Sequence, residues 1–190
     1  MNTPSFTSLK SHFLIPMPKM ANSSFASSLT IICEHNPQGA LGIIVNRPTN
    51  LKLGEVFRQA GLDKDCIKGV LGNTVYSGGP VAVERGFVLN SSEKSWSSCL
   101  QVCDGLQLTT SKDILVAMSR QQGPDAFLLA LGYAGWGAGQ LEQELADNAW
   151  LNCKADLSII FDTPAHLRLN QAASSIGVDL ALISDQVGHA

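Results

Sequence analysis

The segment with the clearest chemical potential is Gly132-Tyr-Ala-Gly-Trp-Gly-Ala-Gly139, which is followed directly by Gln140. It comes after a short apolar block, Ala126–Leu131, which is typical of a buried strand, and before a helical pattern. Glycine permits backbone conformations and close approaches that other residues forbid, and the free N–H groups at a helix start favour an anion. The pattern predicts a loop over Gly132–Gly139 that either binds an anion or forms a purely structural turn, with Trp136 packed as an aromatic plug.

The glycine segment departs from the known phosphate-binding loops. No Lys-Ser or Lys-Thr follows it, as the Walker pattern requires. It also does not match Gly-x-Gly-x-x-Gly with an acidic residue at the usual distance. These departures favour the structural turn over the anion site.

A second group with chemical potential is Asn46-Arg47-Pro48, at the end of a predicted strand. A guanidinium presents a fork of donors to a carboxylate or phosphate, and the proline holds the backbone before it extended. The structural alternative, which the sequence favours, is an ion pair of Arg47 with Glu142 or Glu144 that connects loop to helix. If the two loops are neighbours, Arg47, Gln140 and Glu144 converge on one site.

Nucleophilic and metal chemistry have weak support. Cys33 and His35 are two residues apart on a predicted strand and share a face, but a buried cysteine is usually inert and no oxyanion element is evident. The remaining histidines, His12, His166 and His189, are isolated, without the spacing of metal ligands. No Gly-x-Ser-x-Gly elbow is present. The sequence therefore predicts no metal and no cofactor, and it favours a binding protein over an enzyme.

Composition limits the classes of protein that fit. The chain has 190 residues, of which 45% are hydrophobic and 15% charged, so we expect one domain over residues 1–190. The formal net charge is −3, and the 13 lysines and arginines are scattered singly, which argues against nucleic acid as a partner. Five cysteines without a Cys-x-x-Cys pair indicate reduced thiols. With no targeting segment or membrane span recognised, we expect a cytoplasmic protein.

The local patterns predict strands and helices in irregular alternation. Two β-branched segments, Leu29–His35 and Leu41–Asn46, flank the turn residues Asn36–Gly39 and predict a hairpin. Helices are predicted over Leu53–Ala60, from the cap at Thr110–Asp113 to Gly123, over Gln140–Ala146, and from Thr163-Pro164 to Gly177. Further strands are predicted at Phe13–Pro18, Thr74–Tyr76, Gly86–Leu89, Cys99–Val102, Leu106–Thr109, Trp150–Cys153 and Ser158–Phe161. The pattern predicts an α+β domain with a mostly antiparallel sheet and three to four flanking helices.

Several blocks together resemble the AlgH/YqgE family of bacterial proteins. They are His12-Phe-Leu-Ile15, Met17-Pro18, Glu34-His-Asn36, Gly42, Asn46-Arg47-Pro48, Gly78-Gly79-Pro80-Val81, Gly86-Phe-Val-Leu89, Leu131-Gly-Tyr-Ala-Gly-Trp136, Gly139-Gln-Leu-Glu142, Trp150-Leu151 and Gly188-His-Ala190. The resemblance covers nearly the whole chain and implies an α+β fold with a branched sheet rolled into a pseudo-barrel. It also implies a link to transcriptional regulation, through an association with exopolysaccharide production, and no agreed catalytic residues.

These observations lead to one preferred function and two alternatives. The preferred one is a non-enzymatic binding or regulatory module that recognises a small anionic ligand or a protein segment. The alternatives are a transcriptional regulator that binds DNA directly and an enzyme of unassigned reaction. The predicted ligand-binding residues are Asn46, Arg47, Gly78, Gly79, Gly135, Trp136, Gln140 and Glu144.

Overall fold

The chain folds around one large, branched and mainly antiparallel sheet, in a computed structural model that describes residues 6–62, 68–91 and 93–185. The strands in these ranges are β1 (His12–Pro16), β2 (Thr30–Asn36), β3 (Gly39–Ile44), β4 (Pro48–Lys52), β5 (Thr74–Ser77), β6 (Val81–Asn90), β7 (Cys99–Cys103), β8 (Leu106–Thr109), β9 (Phe127–Gly137) and β10 (Trp150–Lys154). The helices are α1 (Leu53–Gln59), α2 (Lys112–Ser119), α3 (Gln140–Ala146), α4 (Leu157–Phe161), α5 (Ala165–Ser174) and α6 (Leu180–Asp185). The predicted α+β class is confirmed.

The order of the strands in the sheet is β10-β1-β2-β3-β9-β6-β8-β7. Strand β9 is the branch point, because it also pairs in parallel with β5, which in turn pairs with β4. All other pairs are antiparallel, as predicted. The expected pseudo-barrel is wrong, because the path ends at β10 and β7, which do not pair with each other in the described ranges, and the sheet is therefore not closed into a barrel. Strand β7 lies beside β2 without pairing with it.

The apolar side chains form three clusters. The largest is built on the sheet from residues such as Phe13, Ile31 and Phe87, and it is covered by α4 and α5. A second contains Trp136 and Trp150 together with residues of α3. A third packs α1 and α2 against the β5–β6–β9 region.

Most of the predicted strands, helices and turns are confirmed, and two of them are wrong. The hairpin pairs Asn36 with Gly39, and the helices predicted from caps and spacing correspond to α1, α2, α3 and α5. The strand predicted over Ser158–Phe161 is instead helix α4, because Asp156 caps it by accepting a hydrogen bond from the Ser158 N–H at 2.9 Å. Buried isoleucines in so short a run do not distinguish the two structures. The second wrong element is the loop predicted over Gly132–Gly139, because residues 132–137 belong to strand β9.

Residues 6–62, 68–91 and 93–185 contain six α-helices where three to four were expected, because α4 and α6 were not predicted. None of the helices in the described ranges has the length and apolar character needed to cross a membrane.

Candidate functional site

The segment from Gly132 to Gly137 is the end of strand β9 and not a loop. In the β3–β9 ladder, Gly135 lies opposite Leu41, Trp136 opposite Ala40, and Gly137 opposite Gly39. The N–H of Gly137 donates to the side-chain Oε1 of Gln140 at 3.0 Å. The prediction of a free glycine loop is therefore wrong, and this backbone belongs to the sheet.

Trp136 is packed as an aromatic plug, as the structural alternative predicted. The indole N–H groups of Trp136 and Trp150 both donate to Oε2 of Glu144, at 2.9 and 2.8 Å. Gln140 donates to the other carboxylate oxygen at 3.0 Å. Both indoles are almost fully buried, and their rings meet edge to face. Glu144 is thus a shared acceptor that joins helix α3 to strands β9 and β10.

Phe25 covers the two tryptophans from the segment between β1 and β2. Its ring stacks on Trp136 with centroids 5.8 Å apart and meets Trp150 edge-on at 5.3 Å. The guanidinium of Arg47 donates to the carbonyl oxygens of Ser24 and Ala26, at 2.5 and 2.7 Å. Arg47 therefore fixes the backbone on either side of Phe25.

Asn46 completes this attachment. Its Oδ1 accepts from the Leu29 N–H at 2.7 Å, and its Nδ2 donates to the Ser27 carbonyl at 2.9 Å. Partial burial of the Arg47 guanidinium lowers its pKa below the ordinary value. The Asn46-Arg47 pair thus holds the 24–29 segment against the sheet.

The expected ion pair between Arg47 and Glu142 or Glu144 is wrong. Arg47 bonds to main-chain carbonyls, Glu144 accepts from the indoles, and Glu142 accepts from His35. Gln140 donates to Glu144, but Arg47 is hydrogen-bonded to neither of them, so the predicted convergence of the three side chains is wrong. Each of them nevertheless supports the cluster formed by Phe25 and the two tryptophans.

Gly78 and Gly79 lie where the connection from β5 to β6 crosses β9. A Cβ atom at Gly79 would overlap the Tyr133 carbonyl group, and one at Gly78 would overlap the Gly132 carbonyl oxygen. Gly132 has a φ of +76° and faces the Gly79 oxygen in return. These glycines permit direct contact of two backbones, which explains them without a ligand.

Cys33 and His35 do not form a thiol–imidazole pair. A β-bulge between Ile32 and Glu34 interrupts the alternation of strand β2. The Cys33 thiol lies in the largest core cluster, where burial raises its pKa far above the ordinary value. The His35 ring accepts at Nδ1 from the Leu9 N–H at 2.9 Å, and its Nε2 lies 2.9 Å from Glu142 Oε1. His35 therefore connects the start of the described chain to helix α3.

Arg168 is a buried cation that is not among the site residues predicted from the sequence. Its Nε donates to the Thr163 carbonyl at 2.8 Å, its Nη1 donates to the Val45 carbonyl, and its guanidinium lies 5.1 Å from the centre of the Tyr76 ring. Burial lowers its pKa, and Tyr76 opposes that shift. Arg168 anchors helix α5 to the end of β3, so it has a structural role.

An open groove, which was not predicted from the sequence, lies over the ends of β3 and β9. Its first part has a volume of about 480 Å³, with glycine backbone at Gly39 and Gly135 and side chains that include Glu34, Leu41, Val81 and Tyr133. Its second part, of about 280 Å³, shares Leu41 and Tyr133 with the first and continues past Phe87, Leu100 and Leu108 to Arg85. Of the predicted site residues, Gly135 and Trp136 line this groove, and the other six do not.

The groove has opposite charges in its two parts. Glu34 lines the first part, and Arg85 lines the second, with its guanidinium carbon 5.8 Å from the centre of the Phe87 ring. Arg85 forms no ion pair with any residue that the structure describes. The lining side chains include no histidine, lysine or aspartate. The groove therefore offers apolar contacts, exposed backbone and two separated charges.

Metal binding finds no support in the described part of the chain, where no group of three or more His, Cys, Asp or Glu side chains is placed to hold an ion. The exposed thiol at the groove, Cys99, donates to Gln107 Oε1 at 3.0 Å.

Comparison with known proteins gives matches over nearly the whole chain. The model of the AlgH-like family matches residues 13–181. The chain belongs to the AlgH-like family. A UPF0301 protein of Thioalkalivibrio sulfidiphilus is 53% identical over 94% of this chain and 95% of its own length, and a UPF0301 protein of Thiobacillus denitrificans is 51% identical over 96% and 97%.

Solved structures agree with the fold of this AlgH-like protein. The solution structure of the AlgH protein from Pseudomonas aeruginosa matches with a TM-score of 0.81 and 48% identity over the full length of both chains. The crystal structure of protein DIP2367 from Corynebacterium diphtheriae matches with a TM-score of 0.70 at 18% identity, covering 96% of this chain and 94% of that one, which shows a shared fold alone.

Proposed function

We propose that this AlgH-like protein is a non-enzymatic binding module that takes an extended segment of another protein into the groove over Leu41 and Tyr133. The observation that supports this proposal most directly is the shape and lining of the groove. Its two parts, of about 480 and 280 Å³, share these two side chains in their lining, and both are open to solvent. Pockets for small molecules enclose most of their ligand, whereas an open channel suits a chain that enters and leaves.

The floor of the channel supports an extended segment in particular. Gly39 and Gly135 contribute backbone to the lining of the groove, and the ring of Tyr133 lies against Gly135. Leu41, Tyr133 and the exposed Val81 provide apolar walls beside it. An extended chain offers alternate side chains and main-chain groups to such a surface, which is a recurring way to recognise peptides.

The small-anion alternative has less support. The predicted cation, Arg47, uses its guanidinium to hold the carbonyls beside Phe25. The predicted glycine loop is a strand. The cation that faces open space in the groove is Arg85, and a single exposed guanidinium attracts a free anion only weakly.

The enzyme alternative also has less support, because the groove lining contains no histidine or lysine to act as a base beside Cys99 or a hydroxyl.

Direct DNA binding is disfavoured by the net charge of −3 and the scattered cations.

The test is a selection of random linear twelve-residue peptides displayed on phage, followed by affinity measurements on synthetic copies. Val81→Asp places a charge inside the groove, and we expect it to weaken binding at least about tenfold, the loss of roughly 1.4 kcal/mol. Val83→Asp is the matched control, because Val83 is on the same strand and 59% exposed but does not line the groove. Failure to select any binder, or equal binding to both variants and the natural protein, would contradict the proposal.

A further inference from the structure

The charges at the two parts of the groove define the kind of segment that fits it. We infer that the bound segment carries an acidic side chain next to an apolar one. The acidic side chain binds Arg85, and the apolar side chain lies in the cleft beside Arg85. This inference rests on the proposed function and adds the chemistry and direction of the partner.

Arg85 is placed to bind a carboxylate. It is exposed, it lines the second part of the groove, and within the described ranges no carboxylate pairs with it. The ring of Phe87, at 5.8 Å, gives the guanidinium a cation–π neighbour that limits the positions it takes up. A guanidinium presents two parallel N–H donors that match a carboxylate.

The cleft beside Arg85 is apolar. Leu41, Phe87, Leu100, Leu108 and Tyr133 form most of a space of about 280 Å³. Ser98 and Thr110, which are hydrogen-bonded to each other at 2.9 Å, lie at its rim. An apolar side chain buried in this cleft supplies affinity that an exposed ion pair alone does not.

The first part of the groove has the opposite preference. Its charged side chain is Glu34, which accepts a hydrogen bond from Asn36 at 3.3 Å, and Gln38 lies nearby. This end favours basic or amide side chains and repels acidic ones. A segment with its acid at Arg85 and a basic or amide residue at Glu34 therefore binds in one direction.

Neighbouring charges do not reverse this assignment. Glu84 precedes Arg85 in the chain and is exposed, but it does not line either part of the groove. The lining side chains of the second part include no acidic residue.

The experiment uses the peptide selection on the full chain, scored by sequence. We expect selected peptides to share an Asp or Glu adjacent to a large apolar residue. Arg85→Glu should weaken the best acidic peptide at least tenfold, and the same peptide with Lys in place of its acid should bind Arg85→Glu more tightly than it binds the natural protein. Arg58→Glu makes the same charge change on α1, away from the groove, and should leave both affinities within twofold.

The outcomes separate the two proposals. If Val81→Asp abolishes binding but Arg85→Glu leaves affinity and acid preference unchanged, the inference is overturned and the proposed function stands. If no peptide binds, both are overturned. Titration with inorganic phosphate, followed by the NMR signals of Arg85 and its neighbours, should give no saturable change below millimolar concentration. Saturation there would overturn the requirement for an apolar neighbour.

Discussion

The indole N–H of Trp136 donates to Oε2 of Glu144, the same oxygen that accepts from Trp150. One carboxylate therefore satisfies two buried donors from different strands. A buried N–H group that has no hydrogen-bond acceptor lowers the stability of the folded state.

Loss of the Glu144 carboxylate should destabilise the fold. Glu144→Ala leaves two indole N–H groups unpaired, and we expect the free energy of unfolding to fall by about 2–4 kcal/mol. Glu144→Gln, which keeps a carbonyl oxygen, should cost less. Urea denaturation followed by tryptophan fluorescence measures both. Gln143→Ala, on the exposed face of the same helix, is the control, and an equal loss there would contradict the role given to Glu144.

Arg47 should stabilise the protein through Phe25. We expect Arg47→Ala to lower the free energy of unfolding by about 1–3 kcal/mol, because two carbonyl groups lose a charged donor. In a Phe25→Ala background the same substitution should cost clearly less, since the ring that Arg47 positions is gone. A double-mutant cycle in urea makes this comparison. Simple additivity of the two losses would show that Arg47 acts independently of Phe25.

The crossing of β5–β6 over β9 should not tolerate a side chain at Gly79. This residue has a φ of +154°, and a Cβ atom there would overlap the Tyr133 carbonyl. We expect Gly79→Ala to cost about 3 kcal/mol or more. Gly72→Ala is the control, because no atom lies within 4 Å of a Cβ at that position. Thermal unfolding of both variants checks this, and similar melting temperatures would refute the backbone-contact explanation.

Stability should fall at alkaline pH because of Cys33. Burial raises the pKa of this thiol in the folded protein, while in the unfolded chain it ionises near its ordinary value of 9.0. The stabilising contribution is complete below pH 9 and is lost as pH rises above it, because only the unfolded chain then releases the proton. Urea denaturation between pH 8 and 10.5 measures the decline. Cys33→Ala should lower stability overall but flatten this dependence, and an unchanged slope would assign the effect to other groups.

The sequence predicted those elements whose signals are local. The turn residues Asn36–Gly39 specified the hairpin, and spacing with end signals specified α1, α2 and α3. Helix α4 was missed because two isoleucines in a five-residue element suit a strand equally well. Strand β4 was missed because it begins with a proline and alternates without a strong apolar pattern.

The glycines show the limit of local prediction for the site. A glycine supplies either loop freedom or close backbone approach, and the residue type does not distinguish the two. In Gly132–Gly137 the second use applies, since the segment pairs with β3 and contacts the Gly78-Gly79 crossing. The partners of Arg47 were missed because they lie more than twenty residues away and are main-chain carbonyls.

The groove itself depends on contacts between distant strands. Leu41, Tyr133 and Arg85 come from β3, β9 and β6, and their meeting follows from strand order, which the sequence does not specify. The prediction that Trp136 packs in the interior is confirmed, because its indole is buried and donates to Glu144.

The most direct test of the account is an NMR titration of the ¹⁵N-labelled protein with a selected peptide. Binding in the groove predicts saturable shifts of the backbone amide signals of Gly39, Gly135 and Tyr133, with little change at Leu167, which is exposed on α5. Shifts that leave the three groove amides unchanged while the peptide saturates the protein would contradict the central claim.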